Sequence, residues 1–149
     1  MQEIDLNNFA LLLILGFGMF ELFGKKEFSP KALYSIHTEL HPYSLKSHKS
    51  DFVDLEVTLT NNSNSELLTA LVVVVPQSLG FERSAISHEK EVRLGYLPTS
   101  QPKHLKIPLW GNERTEKGVY TISLYAISHY NDYGHVLNQA RRTIDLRVE

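Results

Sequence analysis

Apolar and polar residues follow two different rhythms in this chain of 149 residues. Near the start, Phe9 to Phe20 contains no polar residue, and after Glu21 the apolar character resumes at Leu22, Phe23 and Gly24. Residues 1–24 are therefore expected to carry a hydrophobic helix. Counted from Leu6 to Gly24, with Asn7, Asn8 and Glu21 tolerated, the run holds 19 residues, close to the roughly 20 that a membrane-spanning helix requires. Lys25, Lys26 and the Ser29-Pro30 dipeptide mark residues 25–31 as a linker.

Beyond Pro30 the period becomes two. Val53, Leu55, Val57 and Leu59 alternate with Asp54, Glu56, Thr58 and Thr60, which predicts a strand over residues 51–60 with one face buried and one wet. Asn61-Asn-Ser-Asn-Ser65 reads as a turn, because these side chains bond their own backbone and tolerate left-handed conformations. The unbroken Leu-Val-Val-Val-Val run within residues 67–75 predicts a central strand covered on both faces and ended by Pro76. Further strands are expected at residues 32–40, 80–83, 90–94, 104–109, 119–128 and 141–148. Tyr120, Ile122, Leu124 and Ala126 share one face, and Ile144, Leu146 and Val148 point inward. Seven or eight short strands without an amphipathic helix of ten residues predict an all-β body. The expected architecture is an immunoglobulin-like antiparallel β-sandwich over residues 32–149, preceded by one hydrophobic α-helix.

Several turn and strand motifs extend this reading: Asp54-Leu-Glu-Val-Thr-Leu-Thr-Asn-Asn-Ser-Asn-Ser, Ala70-Leu-Val-Val-Val-Val-Pro, Leu94-Gly-Tyr-Leu-Pro, Lys106-Ile-Pro-Leu-Trp and Lys117-Gly-Val-Tyr-Thr-Ile-Ser-Leu-Tyr-Ala. Through them, residues 32–149 resemble the adhesion-type Ig-like domains of prokaryotic, especially archaeal, cell surfaces, which include CARDB-like and S-layer-associated modules. One departure is Thr99-Ser100, where the family pattern carries glycine after the proline at position 98. The resemblance implies a sandwich fold, an extracytoplasmic domain and a structural or adhesive role.

Charge and composition narrow the function classes. Fifteen Lys and Arg against seventeen Asp and Glu leave a net charge of −2, so electrostatic capture of nucleic acid is not expected. With no cysteine there is no disulfide, thiolate nucleophile or cysteine-ligated metal. Glu3 and Asp5 stand where a cleavable signal peptide carries basic residues, so the apolar segment is expected to stay on the chain. It reads as a membrane anchor or the spine of a filament, against the alternative of a buried helix in a soluble domain. Phe9, Leu12, Leu15, Phe20 and Glu21 are its candidate membrane or partner contacts, Glu21 being costly in lipid unless it faces protein. Lys25 and Lys26 favour a cytoplasmic body by the positive-inside tendency, opposite to the side implied by the resemblance.

The chemistry-bearing residues are few. His37 and His41 lie four apart on a predicted strand, about 13 Å along its axis, and so do not form a ligand pair by spacing. His129, Asp132 and His135 fall in one predicted hairpin loop and are the candidate metal ligands, although Asn131, Asp132 and Gly134 suffice to make the turn. There is no Gly-x-Ser-x-Gly elbow, and Gly16-Phe-Gly18 lies inside the apolar run rather than after a strand, so neither a catalytic residue nor a cofactor is expected. Trp110 closes a strand and is either a core plug or an exposed anchor, with Tyr130 and Tyr133 the other candidate interaction residues. Asn61-Asn62-Ser63 matches an N-glycosylation acceptor in a predicted surface loop. Three functions are compatible with these residues: a structural or adhesion component of an archaeal-type envelope or surface filament, an accessory subunit of a membrane complex, or a carbohydrate- or metal-binding module. In the first two the partners are proteins, other copies of the chain included, and the membrane.

Overall fold

The computed structural model describes residues 32–149. The apolar segment, with Phe9, Leu12, Leu15, Phe20, Glu21, Lys25 and Lys26, lies outside them, and among the described residues no helix is long and apolar enough to cross a membrane.

Eight strands form two sheets: β1 (Tyr34–His41), β2 (Ser44–Leu45), β3 (Asp51–Asn61), β4 (Leu67–Val74), β5 (Glu89–Leu97), β6 (Lys103–Gly111), β7 (Gly118–His129) and β8 (Val136–Val148). The first sheet has the order β1-β3-β6 and the second β2-β8-β7-β4-β5. Neighbours are antiparallel except β2 and β8, which run parallel. The fold is thus the all-β sandwich expected from the period-two alternation.

Between the sheets lies a core in which each strand contributes every second residue. Val53, Leu55 and Val57 of β3 and Ile107 and Leu109 of β6 meet Leu71 and Val73 of β4, Ile122 and Leu124 of β7, and Leu146 and Val148 of β8. β4, flanked by β7 and β5, is buried over Leu68–Val73 on both of its faces, as its unbroken apolar run requires. A smaller cluster of Tyr34, Leu59, Leu97 and Ala126 closes one end. There the Tyr34 hydroxyl meets Thr69 Oγ1 at 2.7 Å; since that oxygen donates to the Leu67 carbonyl, Tyr34 is the donor and ties β1 to the opposite sheet.

Burial pushes the Tyr34 hydroxyl up to about 12, against the opposing effect of the Thr69 bond. A tyrosine in the unfolded chain ionises near pH 10. The stability held below pH 10 is therefore lost as pH rises towards 12, because only the unfolded chain releases the proton in that window. Thermal melts between pH 9 and 12 are expected to fall with pH, and Tyr34→Phe to flatten the fall; an unchanged slope would exclude Tyr34 as its cause.

Three local departures from the expected strands have physical reasons. Residues 80–83 form no strand: Gly80 makes an isolated bridge to Trp110, and the chain then turns, with Ala85 N donating to the Glu82 carbonyl and the Glu82 carboxylate accepting from Ile86 N and Ser87 N. β2, only two residues long, is held by the chain end rather than by its own pattern, since Glu149 N donates to the Leu45 carbonyl and Ser47 N to the Glu149 carbonyl. β8 begins at Val136 instead of 141, its early residues ordered by pairing with β7 although most stay exposed. In the Thr99-Ser100 pair, where the resemblance carries glycine after Pro98, Ser100 takes φ 65° and its N–H donates to the Asn61 carbonyl.

Candidate functional site

The outward residues of β1, β3 and β6 form one exposed face, because inward positions of these strands are committed to the core. Register sorts the face into cross-strand rows. His37, Thr58 and His104 make one row; Glu39, Glu56 and Lys106 the next; His41, Asp54 and Pro108 a third; and Phe52 sits directly opposite Trp110 at the end.

Each row has its own chemistry. Thr58 Oγ1 and His104 Nδ1 are 3.0 Å apart. Glu39 lies between two imidazoles, with His41 Nε2 at 3.0 Å from one carboxylate oxygen and His37 Nε2 at 3.5 Å from the other. Hydrogen bonding to His41, then to His37, holds the Glu39 carboxyl below its ordinary range. Across the strand pair, Glu56 faces Glu39, and ligand atoms of Glu39, His41 and Glu56 all lie within 4.8 Å of one another. At the end of the face the Phe52 and Trp110 rings stack with centroids 4.8 Å apart and planes at 30°. Phe52 is 41% exposed and Trp110 half-buried, so the pair is presented to solvent rather than plugged into the core.

The β7–β8 loop, by contrast, does not gather its three metal candidates. His129 is buried, its Nδ1 3.2 Å from the Leu68 carbonyl, and burial lowers its affinity for a proton. His135 Nδ1 instead meets Asp132 Oδ1 at 2.8 Å, and that same oxygen accepts from Gly134 N, so Asp132 shapes the turn. The Gly134 amide, then His135, keep the Asp132 carboxyl low. Tyr133 is a fastener: its hydroxyl accepts from Gly95 N at 2.9 Å, its ring meets His129 edge-on, and the Arg93 guanidinium lies 4.6 Å above it. Tyr130 is 61% exposed at the loop tip.

Asn61 requires a correction. It is the last residue of β3 and wholly buried, not part of a surface loop. Its Nδ2 donates to the Ser65 and Leu97 carbonyls, and its Oδ1 accepts from Ser63 N and Ser63 Oγ. An amide occupied on both sides inside the protein is no glycan acceptor in the folded chain.

The cluster of Glu39, His41 and Glu56, which spans two rows, was not singled out from sequence. Spacing alone separates His37 from His41, but the residue between them on the same face is Glu39, and both rings reach it. The readable signal was the period-two run His37-x-Glu39-x-His41. The cross-strand partner Glu56 depends on register, which sequence spacing does not supply.

No protein-family model matches the chain, and no curated protein does either. Among solved structures, the sandwich is similar to a CARDB domain from Pyrococcus furiosus, solved in complex with di-metal ions, with TM-score 0.52 and 16% identity over 77% of this chain and 91% of that one. The fold is CARDB-like. The CARDB-like sandwich is also matched by BslA, a bacterial hydrophobin, with TM-score 0.42 and 16% identity over 81% of this chain and 98% of that one. A third match is a conjugative transposon lipoprotein from Bacteroides eggerthii, with TM-score 0.41 and 12% identity over 78% of this chain and 98% of that one.

Proposed function

We propose that this chain is a non-enzymatic structural or adhesion component of an archaeal-type cell envelope or surface filament. Its apolar N-terminal segment tethers the CARDB-like sandwich at a membrane or in an assembly, and the sandwich meets protein partners, other copies of itself included. The observation that carries the reading is the solvent-facing Phe52–Trp110 stack beside polar rows on the three-stranded sheet. Aromatic anchors with a polar surround are the usual composition of a protein contact, and Trp is enriched where truncation weakens binding most. The exposed Tyr43, at 76%, and Tyr130 add aromatic surface elsewhere on the domain.

The test places a photo-crosslinking phenylalanine analogue at position 52 of the full chain in its native membrane. Crosslinks to a discrete protein partner are expected, and Trp110→Ala should reduce their yield about tenfold, corresponding to about 1.4 kcal/mol at an interface anchor. Yields equal to those from exposed Val119, or unchanged by Trp110→Ala, would overturn the reading.

A further inference from the structure

We propose that the outer face of the β1-β3-β6 sheet binds one divalent transition-metal ion of the Zn²⁺ class through Glu39, His41 and Glu56. These residues are drawn together by fold rather than by sequence proximity: Glu39 and His41 are successive outward positions of β1, and Glu56 is the β3 residue paired with Glu39.

Two independent features point to a cation. The first is the donor set, one imidazole nitrogen and two carboxylates with ligand atoms within 4.8 Å of one another. Bonds of about 2.1 Å in a tetrahedral site would put donor atoms roughly 3.4 Å apart, so closure asks each to move about 1 Å. The Glu39 and His41 side chains are more than half exposed, 55% and 56%, and rotate at little cost. The second feature is charge. Glu39 and Glu56 are like charges set directly opposite, a pairing that destabilises an antiparallel ladder. The imidazoles of His37 and His41 both serve Glu39, whereas Glu56 faces Lys106 across the β3–β6 pair without forming an ion pair: among the described residues no Lys, Arg or His nitrogen lies within 4 Å of its carboxylate. A divalent ion between the two carboxylates would neutralise this repulsion.

The imidazole decides the class. Ca²⁺ and Mg²⁺ prefer all-oxygen shells, whereas Zn²⁺, Co²⁺ and Ni²⁺ accept mixed nitrogen and oxygen donors. Three protein ligands at an exposed surface leave the remaining positions to water or to a donor group of whatever the face contacts. The site stands whether or not the Phe52–Trp110 end also meets a protein.

The experiment is calorimetric titration of the untagged full chain, in mild detergent, with ZnCl₂, MgCl₂ and CaCl₂, alongside thermal melts with each ion and with EDTA. One equivalent of Zn²⁺ is expected to bind and raise the melting temperature, with Mg²⁺ and Ca²⁺ at least tenfold weaker. His41→Ala and Glu56→Gln should each weaken Zn²⁺ tenfold or more, while His135→Ala leaves it unchanged. In EDTA, Glu56→Gln should melt close to the parent, since it removes both the like charge opposite Glu39 and the opposite charge facing Lys106; this separates a lost ligand from a damaged fold. No Zn²⁺ binding, retention of Zn²⁺ by His41→Ala and Glu56→Gln, or equal affinity for Mg²⁺ would each overturn the site.

Discussion

Asn61→Ala is expected to destabilise the domain by about 3 kcal/mol and lower its melting temperature by roughly 10 °C. The side chain makes four hydrogen bonds, two from its amide nitrogen and two to its carbonyl oxygen, while wholly buried. Those bonds join the end of β3 to its following turn and, through Leu97, to the end of β5 in the opposite sheet. Alanine would strand the Leu97 carbonyl away from solvent and leave the Ser63 amide without its side-chain partner. At roughly 1 kcal/mol per net bond, with a further penalty for a stranded buried group, the loss amounts to about 3 kcal/mol. Chemical denaturation of parent and variant measures it, and a difference below about 1 kcal/mol would mean that the turn relaxes or takes up water without cost. For the same reason, a chain expressed where asparagine glycosylation occurs should carry no glycan at Asn61 once folded.

Gly80→Ala is expected to have a comparable effect, about 3 kcal/mol, by a steric route. A Cβ at position 80 would stand 2.3 Å from Ala85 Cα and 2.7 Å from its carbonyl carbon, and backbone cannot swing aside like the tip of a side chain. The chain must separate there, at an overpacking cost of about 1–3 kcal/mol. The same movement threatens two backbone bonds, Gly80 N to the Trp110 carbonyl and Trp110 N to the Gly80 carbonyl. Because Trp110 is the sole tryptophan, its fluorescence reports the change directly, and a red-shifted emission should accompany the lower denaturation midpoint. An unchanged midpoint and spectrum would show that the loop after β4 absorbs the methyl group without disturbing β6.

What could be read from the sequence follows from what each element depends on. The alternation of Val53, Leu55, Val57 and Leu59 was legible because burial of one strand face imposes it directly. So was β4, whose apolar run needs cover on both sides. β2 and the first half of β8 were not legible: the former is two residues held by the chain end, and the latter is an exposed segment ordered by β7. Residues 80–83 have strand-like composition, but the chain turns after a single bridge, folding Ala85 back so close to Gly80 that only glycine fits there. Asn61 read as a loop residue because asparagine favours turns; that β3 carries it inward is settled by pairing with Tyr34 and by the carbonyls around it. The candidate site divides the same way. Trp110 stood out as a lone large aromatic, whereas its partner Phe52 and the carboxylates of Glu39 and Glu56 meet through cross-strand register.

The two ends of the sandwich have a mechanical consequence. β1 enters beside Asn61, while β8 finishes beside Gly118 at the opposite end, next to Leu45 of β2. A pull applied between Leu33 and Glu149 therefore runs parallel to the strands. Ladder hydrogen bonds lie across that direction, so the bonds of the β1–β3 and β7–β8 pairs share the load in shear rather than unzipping one after another. Rupture under force is governed by the unfolding barrier, and shear loading demands that many bonds fail together. Stretched between its first and last strands, the sandwich is thus loaded in the direction that resists unfolding most.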